Sequence, residues 1–228
     1  MRALRTVPAA ARLCVLAVTL CALGCIAPAA LGQVSFDVPK LLVLAALYAA
    51  CEQITRWPSL RRRTPAATGS FVPALLAGVI VLPPSGAALV ALPGALLGRA
   101  GERRPAAWVC RLWEAGKLAV AAAAASQVYR WAGGPQTLAA VDFPLAVFHA
   151  LLAALVFSLV SGALVTGILV AAGECGTIGS AWRKGPGRSV VPHLAHGVVG
   201  LTMAVLWQGA YGTLAAVLAL LPMYVSCW

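Results

Sequence analysis

An apolar segment from Phe71 to Gly98 is interrupted in its middle by Pro83-Pro84-Ser85-Gly86. Membrane helices need about 20 apolar residues for each crossing, so the segment is either one tilted helix or a broken pair. Two adjacent prolines remove two backbone donors and disfavour helix before each ring. The segment is therefore predicted to form a hairpin of two short helices, at 71–82 and 85–98, with Ser85 as N-cap of the second.

Arginine clusters flank this segment on both sides, with Arg61-Arg62-Arg63 before it and Arg99, Arg103 and Arg104 after it. A single crossing would put the clusters on opposite membrane faces, against the positive-inside bias. A hairpin puts both on the cytoplasmic face and is therefore favoured. Each half spans roughly 20 Å at about 1.5 Å per residue, less than the roughly 30 Å hydrocarbon core. The break is therefore expected at membrane depth, inside the protein.

The composition places the chain among integral membrane proteins. Hydrophobic residues make up 61% of the 228 residues and charged residues 10%, whereas soluble domains carry about 25% charged residues. The predicted fold class is all-α, a polytopic helical membrane protein with six to eight spans. Residues 1–35 are either a first span or a secretory signal. Residues 36–228 are predicted to form a single multi-span membrane domain.

The formal net charge is +11, and the basic residues lie in short clusters beside apolar segments. We attribute the charge to the positive-inside topology of a membrane protein and to contact with anionic lipid. Binding to nucleic acid is therefore not expected. Fifteen of the 17 lysine and arginine residues fall in segments predicted to be cytoplasmic, and Lys40 and Arg130 fall outside. This bias predicts that both chain ends are cytoplasmic, with cytoplasmic loops at 56–69, 99–106 and 174–190.

A charged face is predicted in the first turns of the helix at 106–131. Arg111, Glu114 and Lys117 are spaced three residues apart, so their side chains share one face. An ion-paired helix end at the interface and a functional polar cluster both fit this pattern. Glu114 is expected to pair with Arg111 or Lys117, because an isolated carboxylate facing lipid is costly.

A ligand pocket is predicted where the two short helices meet. The first helix ends in carbonyls without helical partners, and the second begins with free amides and the positive end of its dipole. Side chains, water or a ligand must satisfy both sets at membrane depth. The small residues from Ala121 to Ser126 are the expected opposite wall. The predicted pocket residues are Ser85, Gly86, Ser126 and Gln127; a tight turn solvated at the outer interface is the alternative.

The three histidines and seven cysteines do not predict a metal centre. The cysteines show neither a CxxC pair nor metal-ligand spacing, and most lie in apolar segments. His193 and His196 share a helix face but lack further ligands; His193 is expected to reach the interface or pair with Glu174. His149 is expected to be packed and hydrogen-bonded. No metal and no cofactor are predicted.

Several short motifs resemble those of a known membrane family. They are Leu82-Pro83-Pro84, Ala91-Leu92-Pro93-Gly94, Val128-Tyr129-Arg130 before Gly133-Gly134, Pro192-His193-Leu194-Ala195-His196-Gly197 and Leu220-Leu221-Pro222. Over residues 36–228 the chain resembles the N-terminal multi-span sensor region of bacterial cyclic-dinucleotide signalling proteins that carry HD-GYP or GGDEF output domains. The resemblance implies signal transduction at the bacterial inner membrane. The 228 residues contain no HD pair and no GGDEF loop, so no enzyme activity is expected.

The expected function is that of a membrane-embedded sensory or anchoring module of a bacterial signalling system, without chemistry of its own. One alternative is a small-molecule carrier similar to the substrate-binding membrane subunits of vitamin transporters, which are also compact six-helix proteins with both ends inside. A structural membrane protein without a ligand is another. The expected partners are the lipid bilayer and a cytoplasmic signalling protein, with a homo-oligomer as a further expectation and no nucleic acid.

The charge bias predicts how single cysteines react on a cysteine-free background. Thr64→Cys should resist an impermeant thiol reagent added to intact cells, because residue 64 is predicted to be cytoplasmic. Gly134→Cys should react under the same conditions, because it lies in a predicted external turn. The opposite pattern would overturn the predicted topology.

Overall fold

The computed structural model describes residues 8–55, 72–96, 105–135, 143–175, 177–184, 187 and 190–208. These residues form helices and contain no strand, in agreement with the predicted all-α class. The helices are α1 (Ala9–Ala30), α2 (Val38–Thr55), α3 (Val72–Val81), α4 (Pro84–Leu96), α5 (Pro105–Trp131), α6 (Phe143–Ala171), α7 (Ile178–Lys184) and α8 (Val190–Gln208). The predicted loop at 56–69 and most of the predicted loop at 99–106 lie outside the described residues.

The outer surface of the bundle is apolar, as contact with lipid requires. α1, α8 and the Pro144–Ala171 part of α6 are long and apolar enough to cross a membrane. Large apolar side chains exposed on α1 and α6 include Leu13, Leu16, Leu20, Leu23, Leu145, Phe148 and Leu159. Extended apolar patches are rare on soluble monomers. These surfaces and lengths define a helical membrane protein.

The hairpin of α3 and α4 lies at the centre of this bundle. α3 contacts α2, α4, α5, α6 and α8, while α4 contacts α1, α2, α3 and α5. Every residue from Val72 to Ile80 is buried, which explains why α3 is apolar on all sides. The two short helices also touch each other, since a Cβ at Gly78 would lie 3.4 Å from Val90 Cγ2. The predicted broken pair is therefore present and enclosed by protein.

The double proline ends one helix and begins the next. α3 ends at Val81 and α4 begins at Pro84, where a missing N–H costs nothing because the first amides of a helix lack intrahelical partners. The two helices have 10 and 13 residues, about 15 Å and 20 Å at 1.5 Å per residue. Each is shorter than the hydrocarbon core of about 30 Å.

α5 is the central long helix, and its composition follows from its position. It contacts α1, α3, α4 and α6, so much of its surface faces other helices. The alanines at 121–123 and 125 are buried, and such small side chains let neighbouring helices approach closely. The first half of α5 carries Arg111, Glu114 and Lys117, and α5 is not among the three helices long and apolar enough to cross a membrane.

Glycines mark the closest contacts of α8. A Cβ at Gly200 would lie 2.9 Å from Leu76 Cβ and 3.0 Å from the carbonyl oxygen of Pro73, both in α3. A Cβ at Gly197 would lie 2.6 Å from Ala154 Cβ in α6. α8 therefore fits against the buried hairpin and against α6 through positions that carry no side chain.

The Gly200 contact predicts a loss of stability when one methyl group is added. Gly200→Ala would place Cβ against the backbone of Pro73 and Ala77, which cannot move aside as a flexible side chain can. We expect a loss of about 1–3 kcal/mol, the usual range for overpacking, measured as a lower thermal midpoint in detergent. Gly167→Ala is the matched control, because nothing lies within 4 Å of its Cβ position. Equal effects of both substitutions would contradict the contact.

Candidate functional site

The break between α3 and α4 is largely enclosed by protein, with Leu82, Ser85 and Gly86 buried and Pro83 and Pro84 half-buried. Leu82 is almost completely buried, and its amide donates to the carbonyl of Gly78 at 2.9 Å. On the other side of the break, the Ala87 amide donates to the carbonyl of Pro83 at 2.8 Å, which closes the first turn of α4. Helical hydrogen bonding therefore continues up to both edges of the break.

Ser126 of α5 satisfies one of the carbonyls at the break. Its hydroxyl donates to the carbonyl oxygen of Leu82 at 3.1 Å, and Ser126 is fully buried. The last carbonyls of a helix lack intrahelical partners, and burying such a group without any partner is costly. The small residues from Ala121 to Ala125 allow α5 to come close enough for this bond. Ser126, the last residue of the wall predicted from the sequence, therefore lies beside the break.

Ser85 does not cap α4 as predicted. α4 begins at Pro84, so Ser85 lies within its first turn. Ser85 is 3% exposed, and its hydroxyl has no hydrogen-bond partner within the described residues. A buried polar group left without a partner costs about 1–3 kcal/mol. Ser85 therefore places an unused donor and acceptor in the centre of an apolar core.

Gly86 and Gln127 take different positions relative to the break. A Cβ at Gly86 would lie 3.1 Å from Leu82 Cβ, so glycine lets α4 approach the end of α3 closely. Gln127 is half-buried, and consecutive residues of a helix point about 100° apart, so it lies on a face of α5 next to that of Ser126. Ser85 and Gly86 lie in the first turn of α4 beside the break, and Ser126 reaches the break through its bond to Leu82. The pocket itself stays a prediction.

The predicted polar cluster in the first half of α5 forms two contacts. The Lys117 ammonium pairs with the Glu114 carboxylate, with Nζ 2.6 Å from Oε2. The Arg111 guanidinium lies over the ring of Trp108, with Cζ 5.3 Å from the ring centre, a cation–π geometry. The Lys117 side chain is 12% exposed and that of Glu114 is 50% exposed. Loss of Glu114 would therefore leave a largely buried ammonium without this partner.

A polar contact between α6 and α8 was not predicted from the sequence. His193 Nδ1 lies 3.0 Å from the Ser158 hydroxyl oxygen, and the Phe157 ring packs edge-on against the imidazole. His193 therefore points into the bundle rather than toward Glu174 or the interface. The spacing of His193 and His196 predicted their shared face, but a partner on another helix leaves no signal in local spacing. Within the described residues, no group of three or more His, Cys, Asp or Glu side chains could hold a metal ion.

No protein family model, no curated protein and no solved structure matches the chain. The resemblance to cyclic-dinucleotide signalling proteins therefore stays an expectation.

The two buried serines at the break predict opposite effects of removing a hydroxyl. Ser126→Ala leaves the Leu82 carbonyl without its partner and should lower the free energy of unfolding by about 1–3 kcal/mol. Ser85→Ala removes a hydroxyl that no described residue binds, so stability should stay unchanged or rise. Thermal unfolding of both variants in one detergent checks this. A loss for Ser85→Ala as large as that for Ser126→Ala would contradict an unpartnered hydroxyl.

A double-mutant cycle tests the Glu114–Lys117 pair. Glu114→Ala and Lys117→Ala should each destabilise the protein, and the double variant should lose less than the sum, with a coupling of about 0.5–1 kcal/mol. Strictly additive losses would contradict the pair.

The control cycle uses Asp37 and Lys40, which have the same spacing and a distance of 3.0 Å from Nζ to Oδ2. The Lys40 side chain is 41% exposed, against 12% for Lys117, so solvent screening should make the coupling of the control pair weaker. The side-chain hydrogen bond from Lys40 lowers the pKa of the Asp37 carboxyl. At neutral pH the carboxylate is therefore ionised and the control pair is formed.

Proposed function

We propose that the chain is a membrane-embedded sensory or anchoring module of a bacterial signalling system, without chemistry of its own. The position of the broken hairpin carries this proposal. Together α3 and α4 contact α1, α2, α5, α6 and α8, so a shift at the break would reach each long helix of the described bundle directly. A rigid anchor does not need a buried break, whereas a sensor can use one.

The ligand of the sensor is proposed to bind at the break. The Ser85 hydroxyl is buried and has no partner among the described residues, and the first amides of α4 lie at the positive end of its dipole. These groups would favour a small polar molecule that carries hydrogen-bond acceptors. The proposed lining remains Ser85, Gly86, Ser126 and Gln127.

The signal is proposed to leave the break through α8. At Gly200 no side chain separates α8 from the backbone of α3, and close-packed interfaces transmit small displacements instead of absorbing them. Signalling further requires that the ligand bind one arrangement of α3 and α8 more tightly than another. A cytoplasmic signalling protein is the proposed receiver.

The membrane arrangement is part of the same proposal. We propose six to eight spans in the bacterial inner membrane, with both ends cytoplasmic and copies of the chain able to associate as a homo-oligomer. The fifteen-to-two distribution of lysine and arginine supports this topology. The three long apolar helices support insertion.

A small-molecule carrier is the second candidate function. Discontinuous helices enclosed by other helices are a common construction of substrate sites in transporters, and α3 and α4 have that arrangement. A carrier would bind its substrate at the same break and open it in turn to each side of the membrane.

Ligand-dependent thermal shift tests the proposed site. The purified chain is screened against carboxylates, phosphates and neutral polar metabolites, because a ligand that binds the folded state raises the thermal midpoint. A compound that shifts the wild type but not Ser85→Ala supports the site. Thr166→Val is the matched control, since Thr166 is another buried hydroxyl without a partner in the described residues; it should keep the shift. Equal shifts in all three proteins would place the ligand elsewhere.

Transport into vesicles separates the two functions. Uptake of the compound that shifts the wild type would favour the carrier. A ligand-dependent change in the distance between spin labels on α6 and α8, without uptake, would favour the sensor. If no compound shifts the wild type, the structural membrane protein is favoured.

A further inference from the structure

Polar side chains of α5, α6 and α8 come close to each other away from the break. His193 of α8 contacts the Ser158 hydroxyl of α6, with 3.0 Å from Nδ1 to Oγ, and its ring centre lies 6.4 Å from that of His196. The Lys117 ammonium of α5 lies within range of an electrostatic interaction with His193. Along α5, Lys117 is about 14 Å from Ser126 at 1.5 Å per residue. The place where these side chains meet is therefore separate from the proposed ligand site.

α5 and α8 stand on two sides of this place, and α6 lies between them. Within the described residues, each of the two helices contacts α6, but α5 and α8 do not contact each other. Only long side chains can therefore approach each other from the two sides. Ser158 of α6 is buried between them. We name Lys117, Ser158, His193 and His196 the three-helix cluster.

The three-helix cluster has more hydrogen-bonding groups than its own contacts use. His196 Nδ1 is buried and has no hydrogen-bond partner among the described residues. An ammonium carries three donors, and Lys117 Nζ donates one described bond, to Glu114 Oε2 at 2.6 Å. The Lys117 side chain is 12% exposed, so water reaches its other donors poorly. Groups left unpaired inside an apolar bundle are costly, and a ligand can supply the missing partners.

The charges around the three-helix cluster favour an anion as that ligand. An ammonium can only donate hydrogen bonds, so its free donors need acceptors. Arg111, Glu114 and Lys117 of α5 carry two positive charges and one negative charge, a local sum of +1. A metal cation would bind the imidazole lone pairs, but Lys117 would repel it, and the described residues offer no third His, Cys, Asp or Glu ligand.

We propose that Lys117, His193 and His196 bind a phosphate group between α5 and α8. A phosphate presents acceptor oxygens in several directions, so one group can contact donors on both sides of the gap, and lysine is a common phosphate ligand. A neutral imidazole carries one N–H, on either nitrogen. Because the Ser158 hydroxyl can donate to Nδ1 of His193, the N–H of that ring can lie on Nε2 and point at the phosphate. The bound group joins two helices that otherwise lack a direct contact.

The phosphate group can belong to a free ion or to the headgroup of an anionic lipid, and the test separates these sources. The full chain is purified in dodecyl maltoside, which contains no phosphate, and its thermal midpoint is measured at constant ionic strength. One arm replaces chloride by inorganic phosphate, and the other replaces diacylglycerol by phosphatidylglycerol with the same acyl chains. A rise of about 2–4 °C is expected in at least one arm. A rise with the lipid alone identifies a headgroup, and no rise in either arm overturns the proposal.

Four variants locate the bound phosphate. Lys117→Gln and His196→Leu should each lose the rise, because each removes a donor of the three-helix cluster. Ser85→Ala should keep it, because Ser85 lies at the break. Lys40→Gln should also keep it and is the matched control for Lys117, since Lys40 likewise pairs with a carboxylate three residues before it. Loss of the rise in Ser85→Ala, or its retention in Lys117→Gln and His196→Leu, overturns the proposal.

If neither cluster variant folds, NMR of the wild type labelled with ¹⁵N-histidine decides. The chain has three histidines. The phosphate compound that raised the midpoint should move the ring signals of at least two of them, because His193 and His196 would both contact it. Movement of the signals of fewer than two histidines overturns the proposal.

Discussion

Backbone polar groups inside an apolar bundle must find hydrogen-bond partners within the protein. The rest of this structure depends on how these partners are supplied at the break. The two prolines remove two amides that would otherwise need acceptors. Ser126 supplies a donor for the Leu82 carbonyl. The bond requires α5 to lie close to the hairpin, and the alanines before Ser126 allow this approach. The buried hydrogen bond of Ser126 and the small side chains before it thus both belong to the close packing around α5.

The sequence predicted the features whose signals are local. The double proline with its flanking arginines predicted the hairpin, and the small residues before Ser126 predicted the wall beside it. The local signal was misread at Ser85, which was predicted to be the N-cap of a helix at 85–98. Proline also favours the first position of a helix, and α4 begins at Pro84, one residue before the predicted start. The contacts of His193 with Ser158 and of His149 with Ala132 join different helices. Such partners depend on how helices are rotated and shifted against each other, which residue spacing within one helix does not encode.

The buried side chains of His149 and Ser85 differ in whether they form polar contacts that hold the fold together. At the end of α5, both nitrogens of His149 contact carbonyl oxygens, so this side chain holds two helices together. At the break, the Ser85 hydroxyl has no hydrogen-bond partner among the described residues. Its burial therefore lowers the stability of the fold and forms no stabilising hydrogen bond. Natural proteins retain such costs mainly at functional sites. This contrast is why the proposed ligand site is placed at the break and not at the histidine.

Thiol accessibility of Ser85→Cys, on a background without the seven native cysteines, tests the buried break most directly. Cysteine is close to serine in size, so the substitution preserves the packing of the hairpin. We expect no reaction with an impermeant maleimide from either side of the membrane while the protein is folded, and complete reaction after unfolding in SDS. Reaction in the folded protein as fast as that of Ala132→Cys, an exposed position in the turn after α5, would contradict the account, because the break would then lie in water.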